Sequence, residues 1–431
     1  MSGVILNVGV LGVGMHPGAW RWGDDGATLA DRDFYARIGT LAERGKLHAV
    51  FLADTLAADE ENFERPNLGA MDPAMALSYL AAVTKHVGLV GTATTTYNEP
   101  FNLARRFSTL DHLSGGRAGW NVVTTFVPAV AANFGDGPLP AGDARYDRAE
   151  EFVDAVRALW KSWEPGALIA DRQTGVYADT SRVRPIDFKG KHISVRGPST
   201  LPRSAQGWPV LFQAGSSDRG RSLAARTADV VFTVQNVLEA ARDFRADIRR
   251  RAVAFGRSAD AVKVLPGLMP ILGSTEAEAN ARKARLDELS GEAELRKLAL
   301  RVGVKVSDLD IDKPLPLDLI RSNSAFRGSE GFRNAAIELA TRNNLTVREL
   351  LYHNGGGHLQ VAGTPETIAD TIETWTSEGA ADGFNLMIDV LPGGLEDFVD
   401  AVIPLLVRRG LFRSDFNGET LRSNLGLDIP R

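Results

Sequence analysis

Amide and hydroxyl side chains stand at the end of an apolar run between residues 115 and 125. A glycine turn leads into a run rich in β-branched residues, and that run ends in Asn121, Thr124 and Thr125. A buried strand usually ends in a turn without such groups, so their position indicates a ligand site where the strand leaves the core. Because amides and hydroxyls bind and orient ligands, we treat these three residues as candidate catalytic residues.

A second polar segment, residues 213–220, leads from an apolar run into a helical pattern. Gly215 lets the backbone approach a ligand closely, and Ser216 or Ser217 can cap the helix. The free N–H groups at the start of the helix would then face any anion held there, and a phosphate fits this arrangement. The alternative is an ordinary helix N-cap without a ligand.

Short apolar runs alternate with longer amphipathic stretches along the chain. Eight runs are predicted as strands, at residues 4–13, 48–53, 87–96, 118–125, 209–214, 229–234, 262–272 and 384–388. Strands that alternate with helices form a parallel sheet with right-handed crossovers, and eight repeats favour a closed barrel. We therefore predict an α/β fold, a TIM (β/α)8 barrel that forms one domain over residues 1–431.

In a barrel of this kind the carboxyl ends of the strands meet on one face, which carries the active site. The predicted strand ends bring polar residues to that face, among them His16, Asp54, Thr92, Thr94 and Asp389. Each of these residues alone is explained by ordinary loop polarity. Together they indicate a binding site.

Three regions depart from the simple repeat. Residues 164–207 are rich in turn formers and predict a hairpin excursion. Residues 273–350 hold a charged helical pattern and then a passage rich in proline and asparagine. An insertion of this length is rarely an idle loop, and we interpret it as a lid over the barrel mouth, with a packing or oligomer appendage as the alternative. Residues 415–431 are predicted to be a loosely held tail.

Histidines and tryptophans supply candidates for the substrate pocket. His16 follows the first predicted strand and is also a candidate catalytic residue, whereas His353 and His358 flank a run of glycines. Trp20 and Trp22 lie in the first loop, where they are placed to wall an apolar pocket. We expect these five side chains to contact the substrate.

The composition excludes several classes of protein. With no cysteine and a formal net charge of −5, the chain can form no disulfide or thiolate metal site, and nothing favours nucleic acid as a partner. No metal-binding motif occurs, so no metal is expected. No apolar stretch approaches the roughly 20 residues that cross a bilayer, and the N-terminus lacks the features of a signal peptide. A soluble, cytoplasmic protein with no membrane partner is expected.

Several ordered motifs resemble the flavin-dependent monooxygenases of the bacterial luciferase superfamily. They are Trp20-Arg21, Phe51-Leu52-Ala53-Asp54, residues 97–105, residues 115–125, Arg145-Tyr146 and residues 209–217. The match covers most of the chain and is to the two-component branch that degrades nitrilotriacetate, dibenzothiophene sulfone and long-chain alkanes. The resemblance implies a TIM barrel that binds reduced FMN, supplied by a separate NAD(P)H:flavin reductase, and uses O2 as cosubstrate.

The resemblance also implies roles for individual residues. Ser216 and Ser217 are similar to the family's phosphate contacts. The full set of cofactor contacts implied in this way is Asp54, Thr92, Thr94, Asn121, Thr124, Tyr146, Gly215, Ser216 and Ser217. Gly142 stands where the family usually carries a histidine, and a glycine has no side chain to replace that contact.

The predicted function is an FMN-dependent, two-component monooxygenase that oxygenates a small organic molecule, often with cleavage of a C–N, C–S or C–halogen bond. Two alternatives remain open: an F420-dependent oxidoreductase on the same barrel, and a non-catalytic flavin-binding protein. A homodimer or homotetramer is expected. No residue named above distinguishes amine, sulfone, haloaromatic and alkane substrates.

Overall fold

The strands form a closed barrel in the computed structural model, which describes residues 3–23, 30–58, 71–135, 137–324, 326 and 328–430. The eight barrel strands are β1 (Ile5–Val10), β2 (Ala49–Leu52), β3 (Gly88–Thr94), β4 (Ala118–Val123), β5 (Val210–Gln213), β6 (Val230–Thr233), β7 (Lys263–Leu272) and β8 (Gly383–Leu386). Each strand pairs in parallel with the next, and β8 closes the barrel by pairing with β1. The predicted TIM barrel is confirmed.

The strands are buried on both faces because helices cover the outside of the barrel and side chains fill its inside. Every residue of β1, β2, β3, β5 and β8 is buried, which explains why the sequence shows continuous apolar runs rather than an alternating pattern. The helices around the barrel are Arg32–Arg44, Pro73–Val83, Pro100–Leu113, Pro128–Ala131, Gly142–Lys161, Asp218–Thr227, Leu238–Ala254, Pro365–Ser377, Gly393–Asp397, the π-helical Phe398–Val402, and Ile403–Arg408.

The C-terminal segment packs against the barrel interior, so the prediction of a loosely held tail over residues 415–431 was wrong. Leu421 and Leu425, on the short helix Leu421–Asn424 and just after it, are buried among side chains that line the inside of the barrel. The Arg422 guanidinium donates to Asp229 at 3.1 Å. Local composition does not reveal this role, because the space that the two leucines fill exists only once the barrel has closed.

Additional strands lie outside the barrel. In the region predicted as a hairpin excursion, Leu168–Asp171 pairs antiparallel with Val176–Ala178, and Phe188–Lys189 pairs with Ser194–Val195. A further strand, Leu359–Gly363, was not predicted; it pairs in parallel with the second half of β7. Most of its residues are only half-buried, so a search for apolar runs does not detect it.

Most of the insertion over residues 273–350 folds into helices with a hydrophobic core of their own. Leu298, Ile320, Ala336 and Leu350 are fully buried in that core. The α-helices of this part are Glu276–Ser290, Ala293–Val302, Leu317–Ser322, Glu330–Arg342 and Val347–Tyr352. The helices from Ala293–Val302 to Val347–Tyr352 therefore form a compact unit, whereas the helix Glu276–Ser290 packs against the barrel through Leu286, which is buried in the barrel core.

No helix within the described ranges combines the length and the hydropathy that spanning a membrane requires.

Candidate active site

Neighbouring residues of β3 and β4 form the first pair of the site. Thr92 and Asn121 lie opposite each other in the parallel register, and Asn121 Nδ2 donates to Thr92 Oγ1 at 2.9 Å. Both side chains are buried. Asn121 Oδ1 is also buried and accepts no hydrogen bond from a described residue. A buried acceptor without a donor costs free energy, so this oxygen is placed to accept an N–H or O–H group of a ligand.

Hydroxyl groups cluster where the same two strands end. Thr94 Oγ1 and Thr125 Oγ1 are 2.8 Å apart, and the Thr125 N–H donates to Thr96 Oγ1 at 3.1 Å. Thr124 is half-buried beside them. These contacts fix the loops after β3 and β4 relative to each other. The polar residues predicted at these two strand ends therefore lie together.

The start of the helix Asp218–Thr227 brings two more predicted residues into contact. Ser217 is the N-cap, and its Oγ accepts a hydrogen bond from the Gly220 N–H at 3.1 Å. The hydroxyl of Tyr146, on the helix Gly142–Lys161, is 3.1 Å from the same Oγ. The first N–H groups of a helix have no intrahelical partner, and with the two hydroxyls they form an anion-binding arrangement.

Ion pairs between the same two helices hold this contact in place. Arg219 lies 2.7 Å from Asp147 and 3.1 Å from Glu150, and Arg226 lies 2.9 Å from Asp154. These groups are partly exposed, so each pair contributes little stability. They link the two helices and so help to hold the Tyr146 and Ser217 hydroxyls close to each other.

Two glycines allow polar groups to converge at this point. A Cβ at Gly215 would lie 2.4 Å from Gln213 Nε2, and a Cβ at Gly220 would lie 3.0 Å from the Tyr146 hydroxyl. Gln213, the last residue of β5, was not predicted as a site residue. Its Oε1 is buried without a hydrogen-bond partner among the described residues, so it is a second acceptor available to a ligand.

Asp54 follows β2, and the pKa of its carboxyl group is raised. Burial raises its pKa to about 6, and the nearby charge of Asp72 acts in the same direction. A hydrogen bond from the backbone of Thr55 and the charge of Arg106 oppose this shift. The carboxyl of Asp54 therefore changes its charge closer to neutral pH than an exposed aspartate does.

His16 joins the first loop to the insertion. Its Nε2 is 3.1 Å from Asp287 Oδ1 on the helix Glu276–Ser290, and its Nδ1 accepts a hydrogen bond from the Gly18 N–H at 3.1 Å. The ring is buried. Both ring nitrogens are engaged in positioning contacts, which give no geometric support to the catalytic role predicted for this residue.

Three candidates for the substrate pocket are dispersed. Trp20 is 44% exposed, and Trp22 packs under the guanidinium of Arg282, whose Cζ lies 5.2 Å from the ring centroid. His353 is exposed at the end of the helix Val347–Tyr352. In the described part of the chain, no side-chain hydrogen bond or ring contact joins any of the three to the polar strand ends.

His358, by contrast, reaches the barrel interior. Its ring stacks on Phe232 of β6 with centroids 5.2 Å apart and meets Phe332 of the insertion edge to face at 5.3 Å. Burial lowers the pKa of His358 to about 3, and the charges of Arg301 and Lys297 act in the same direction. The ring is therefore neutral near pH 7.

A pair of buried asparagines inside the barrel was not predicted. Asn7 of β1 donates from Nδ2 to Asn385 Oδ1 of β8 at 2.9 Å. Asn7 Oδ1 and Asn385 Nδ2 have no partner among the described residues. The sequence does contain a signal for this pair, an asparagine in the middle of an apolar strand. A buried amide requires hydrogen-bond partners, so such an asparagine indicates a second polar group nearby.

The arrangement fits a flavin nucleotide. The unpaired acceptors of Asn121 and Gln213 can bind N–H or hydroxyl groups of a ring and its ribityl chain, and the helix start capped by Ser217 can bind a phosphate. The described residues contain no group of three acidic or histidine side chains that could hold a metal ion. The fold and the site thus define a parallel α/β barrel with buried, unpaired polar groups at the carboxyl ends of its strands.

Comparison with known proteins identifies the family. Residues 15–382 match the family model of the luciferase-like monooxygenases, and the chain belongs to this family. N-acetyl-S-(2-succino)cysteine monooxygenase of Bacillus subtilis (strain 168) is 42% identical over 436 residues, which cover 99% of this chain and 97% of that protein. Nitrilotriacetate monooxygenase component A of Aminobacter aminovorans is 45% identical over 435 residues, which cover 97% of this chain and 95% of that protein.

A solved structure is also similar to this chain over nearly its whole length. Riboflavin lyase with modified FMN and riboflavin has a TM-score of 0.87 at 33% identity, with 99% of this chain and 97% of that chain covered. The predicted family, branch and fold are confirmed, as is the predicted class of function, a flavin-dependent monooxygenase.

Proposed function

We propose that this chain is the oxygenase component of a two-component system that uses reduced FMN and O2 to oxygenate a small organic molecule. The observation that carries the proposal is the contact of Tyr146 and Ser217 at the start of the helix Asp218–Thr227, next to strand ends with unpaired acceptors. Two relatives support it, since one is named as a component A and the other was solved with modified FMN.

Different residues would hold the two ends of FMN. Ser216, Ser217 and Tyr146 would bind the phosphate together with the free N–H groups of the helix start. Gly215 would let the backbone come close enough. Residues at the ends of β2, β3 and β4 would bind the isoalloxazine ring and the ribityl chain; they are Asp54, Thr92, Thr94, Asn121 and Thr124.

Reduced FMN supplies the electrons with which O2 is activated. The protein has to orient the substrate and exclude water from the site. Asn121, Thr124 and Thr125 are positioned for the first task at the strand ends. The insertion is positioned for the second, because a Cβ at its Gly331 would lie 2.7 Å from Ser216 Oγ. This close approach of Gly331 to Ser216 supports the proposal that the insertion acts as a lid over the phosphate site.

The remaining components follow from the same proposal. A separate NAD(P)H:flavin reductase supplies reduced FMN, and the chain acts in the cytoplasm as a homo-oligomer. The relatives are named for N-acetyl-S-(2-succino)cysteine and nitrilotriacetate. The proposed substrate is accordingly a small organic molecule in which a C–S or C–N bond is oxidised.

Anaerobic titration with photoreduced FMN, followed by mixing with O2, tests the proposal. We expect binding in the micromolar range or tighter, and reoxidation of the flavin at a rate that the protein alters. Reduced F420 is the matched control ligand, and a clear preference for it would identify the F420-dependent alternative. Failure of reduced FMN to bind in the micromolar range would overturn the proposal.

Turnover distinguishes the oxygenase from a non-catalytic flavin-binding protein. With a flavin reductase added, at least one class in a panel of amines, sulfones, haloaromatics, alkanes and organic acids should produce substrate-dependent O2 uptake and an oxygenated product. Stoichiometric retention of flavin with no product from any class would favour the non-catalytic protein.

A further inference from the structure

A column of aromatic rings leads from the barrel interior to the insertion. Phe51 of β2 meets Phe232 of β6 at 5.6 Å, His358 stacks on Phe232 at 5.2 Å, and Phe332 meets His358 at 5.3 Å. His358 fits because β7 carries Gly267 at this point, where a Cβ would lie 2.2 Å from His358 Nδ1. This aromatic column connects the inside of the barrel with the insertion.

Arg301 stands at the insertion end of the aromatic column. Its guanidinium lies over Phe332, with Cζ 5.5 Å from the ring centroid. Its Nη1 donates to the carbonyl oxygen of Asn354 at 2.6 Å and to that of Gly355. Among the described residues, Nε and Nη2 have no hydrogen-bond partner. The guanidinium is thus held in place by one nitrogen and keeps two others available.

Lys297 lies one helical turn before Arg301 on the helix Ala293–Val302. Its ammonium is 4.0 Å from the Glu294 carboxylate, and it makes no hydrogen bond to a described residue. The side chain is 27% exposed, yet burial lowers its pKa. The ammonium is therefore partly enclosed by protein and still reached by solvent.

The positive charge of Arg301 and Lys297 is not balanced by acidic groups around them. Burial lowers the pKa of Arg301 to about 10, so its guanidinium is charged at neutral pH, and burial also lowers the pKa of Lys297. Within the described residues, Glu294 is the acidic group whose charge acts on both cations. His358 is neutral, because its pKa is about 3. Two partly desolvated cations thus share one carboxylate, and burying a charge without a partner is costly.

We propose that Lys297 and Arg301 bind a carboxylate of the substrate, so that this enzyme acts on small organic acids. The inference rests on the proposed function, since it orients a substrate at the mouth of a flavin-binding barrel. The free Nε and Nη2 of Arg301 match the two oxygens of a carboxylate, and Lys297 adds a point charge. The remainder of the acid would lie against His358 and Phe232, toward the strand ends.

The phosphate of FMN does not account for the two cations. It is assigned to the helix start at Ser217, and the insertion separates the two places: Gly331 faces Ser216, whereas the next residue, Phe332, faces His358 and Arg301. Two anion sites therefore lie on either side of the start of the helix Glu330–Arg342.

Calorimetric titration of tricarballylate and succinate into the protein saturated with oxidised FMN tests the inference, since no turnover occurs without a reductant. We expect the acids to bind in the millimolar range or tighter and succinamide, the neutral analogue, not to bind. Lys297→Met should weaken tricarballylate binding about 10-fold or more, which corresponds to the loss of a charged hydrogen bond, and Lys297→Arg should retain most of the affinity. Arg296→Met, on the same helix and paired with Glu292 at 3.4 Å, should have no effect.

The affinity for FMN separates this inference from the proposed function. Lys297→Met should leave the Kd for FMN unchanged, which also shows that the variant is folded; Lys297→Gln replaces it if the methionine variant aggregates. If FMN binds but the acids do not, or if they bind wild type and Lys297→Met equally, the carboxylate site is overturned and the proposed function stands. If reduced FMN does not bind in the anaerobic titration but acid binding still depends on Lys297, the carboxylate site stands and the proposed function fails.

Discussion

The hydroxyl groups of Tyr146 and Ser217 are 3.1 Å apart, although 71 positions separate the two residues in the sequence. Ser217 also caps the helix Asp218–Thr227 through the Gly220 N–H. One hydroxyl group thus takes part both in the stability of a helix and in the proposed phosphate site, and substitution of Ser217 affects two measurable quantities.

Ser217→Ala should weaken FMN binding more than riboflavin binding. A hydrogen bond to a charged group is worth roughly 1.5–3 kcal/mol. FMN would lose such a bond to its phosphate, whereas riboflavin has no phosphate and would not. Loss of the cap should also lower the free energy of unfolding by about 1 kcal/mol. Fluorescence titration gives both affinities, and urea unfolding gives the stability.

The matched control for Ser217→Ala is Thr364→Ala. Thr364 caps the barrel helix Pro365–Ser377 through the Thr367 N–H at 3.4 Å. This variant should lose stability in the same way but bind both flavins as wild type does. Equal losses of FMN and riboflavin affinity in Ser217→Ala would place the phosphate elsewhere.

Asn121→Leu should weaken FMN and riboflavin by the same factor. The amide faces the part of the site assigned to the ring and the ribityl chain, which the two ligands share. Loss of one neutral hydrogen bond corresponds to about 0.5–1.5 kcal/mol, or roughly 2- to 10-fold in Kd. The same titrations measure this effect, and a loss confined to FMN would contradict the assignment of Asn121.

Asp54 should make the stability depend on pH between about pH 4 and pH 6. Its pKa is about 6 in the folded protein against an ordinary value of 3.8, so the folded state holds the proton more tightly than the unfolded state does. The stabilisation is complete below pH 4 and is lost as the pH rises through 6. Relative to wild type, Asp54→Asn should therefore gain stability across this window and then level off.

Urea unfolding of wild type and Asp54→Asn at several pH values between 4 and 7 checks this prediction. The buried Asp111 also has a pKa raised to about 6 by burial, but it is present in both proteins and cancels in the difference. A difference in unfolding free energy that stays flat over this range would show that Asp54 titrates like an exposed aspartate.

Leu421→Ala should destabilise the protein by about 2–5 kcal/mol, because a leucine that is fully buried leaves a cavity when it is truncated. Flavin affinity should not change, since Leu421 packs near the first residue of β3, where a Cβ at Gly88 would lie 2.4 Å from Leu421 Cδ1. Ile429→Ala is the control, as Ile429 is 61% exposed. Thermal unfolding of wild type, Leu421→Ala and Ile429→Ala measures the effect. Equal stability of all three would support the interpretation of this segment as a loose tail.

The insertion should respond to FMN as a lid. A cavity of about 570 Å³ lies between the helices Leu238–Ala254 and Glu330–Arg342, beside Ser216, and gives the unit room to move. Amide hydrogen exchange should show stronger protection near Gly331 when FMN binds, while the core around Leu298 stays protected throughout. Strong protection of the whole insertion in the free protein, unchanged by FMN, would contradict a lid.

The sequence alone determined the barrel and the strand ends that carry the site. Strands of a parallel barrel are buried on both faces, so they are visible as apolar runs whatever their partners are. The polar residues that end β3 and β4, Thr92, Thr94 and Asn121, were predicted because the direction of a strand fixes which end faces the active site. Ser217 was predicted because a helix N-cap is a local pattern.

Only the tertiary structure decided which distant residues meet. The contact of His16 with Asp287, the pairing of Asn7 with Asn385 and the burial of Leu421 depend on how the closed barrel and the insertion pack, and no local pattern encodes such distances. For the same reason the proposed carboxylate site at Lys297 and Arg301 was not predicted from the sequence. In the sequence they have the pattern of ordinary surface cations on a helix, and only the folded insertion brings them beside His358 and Phe332.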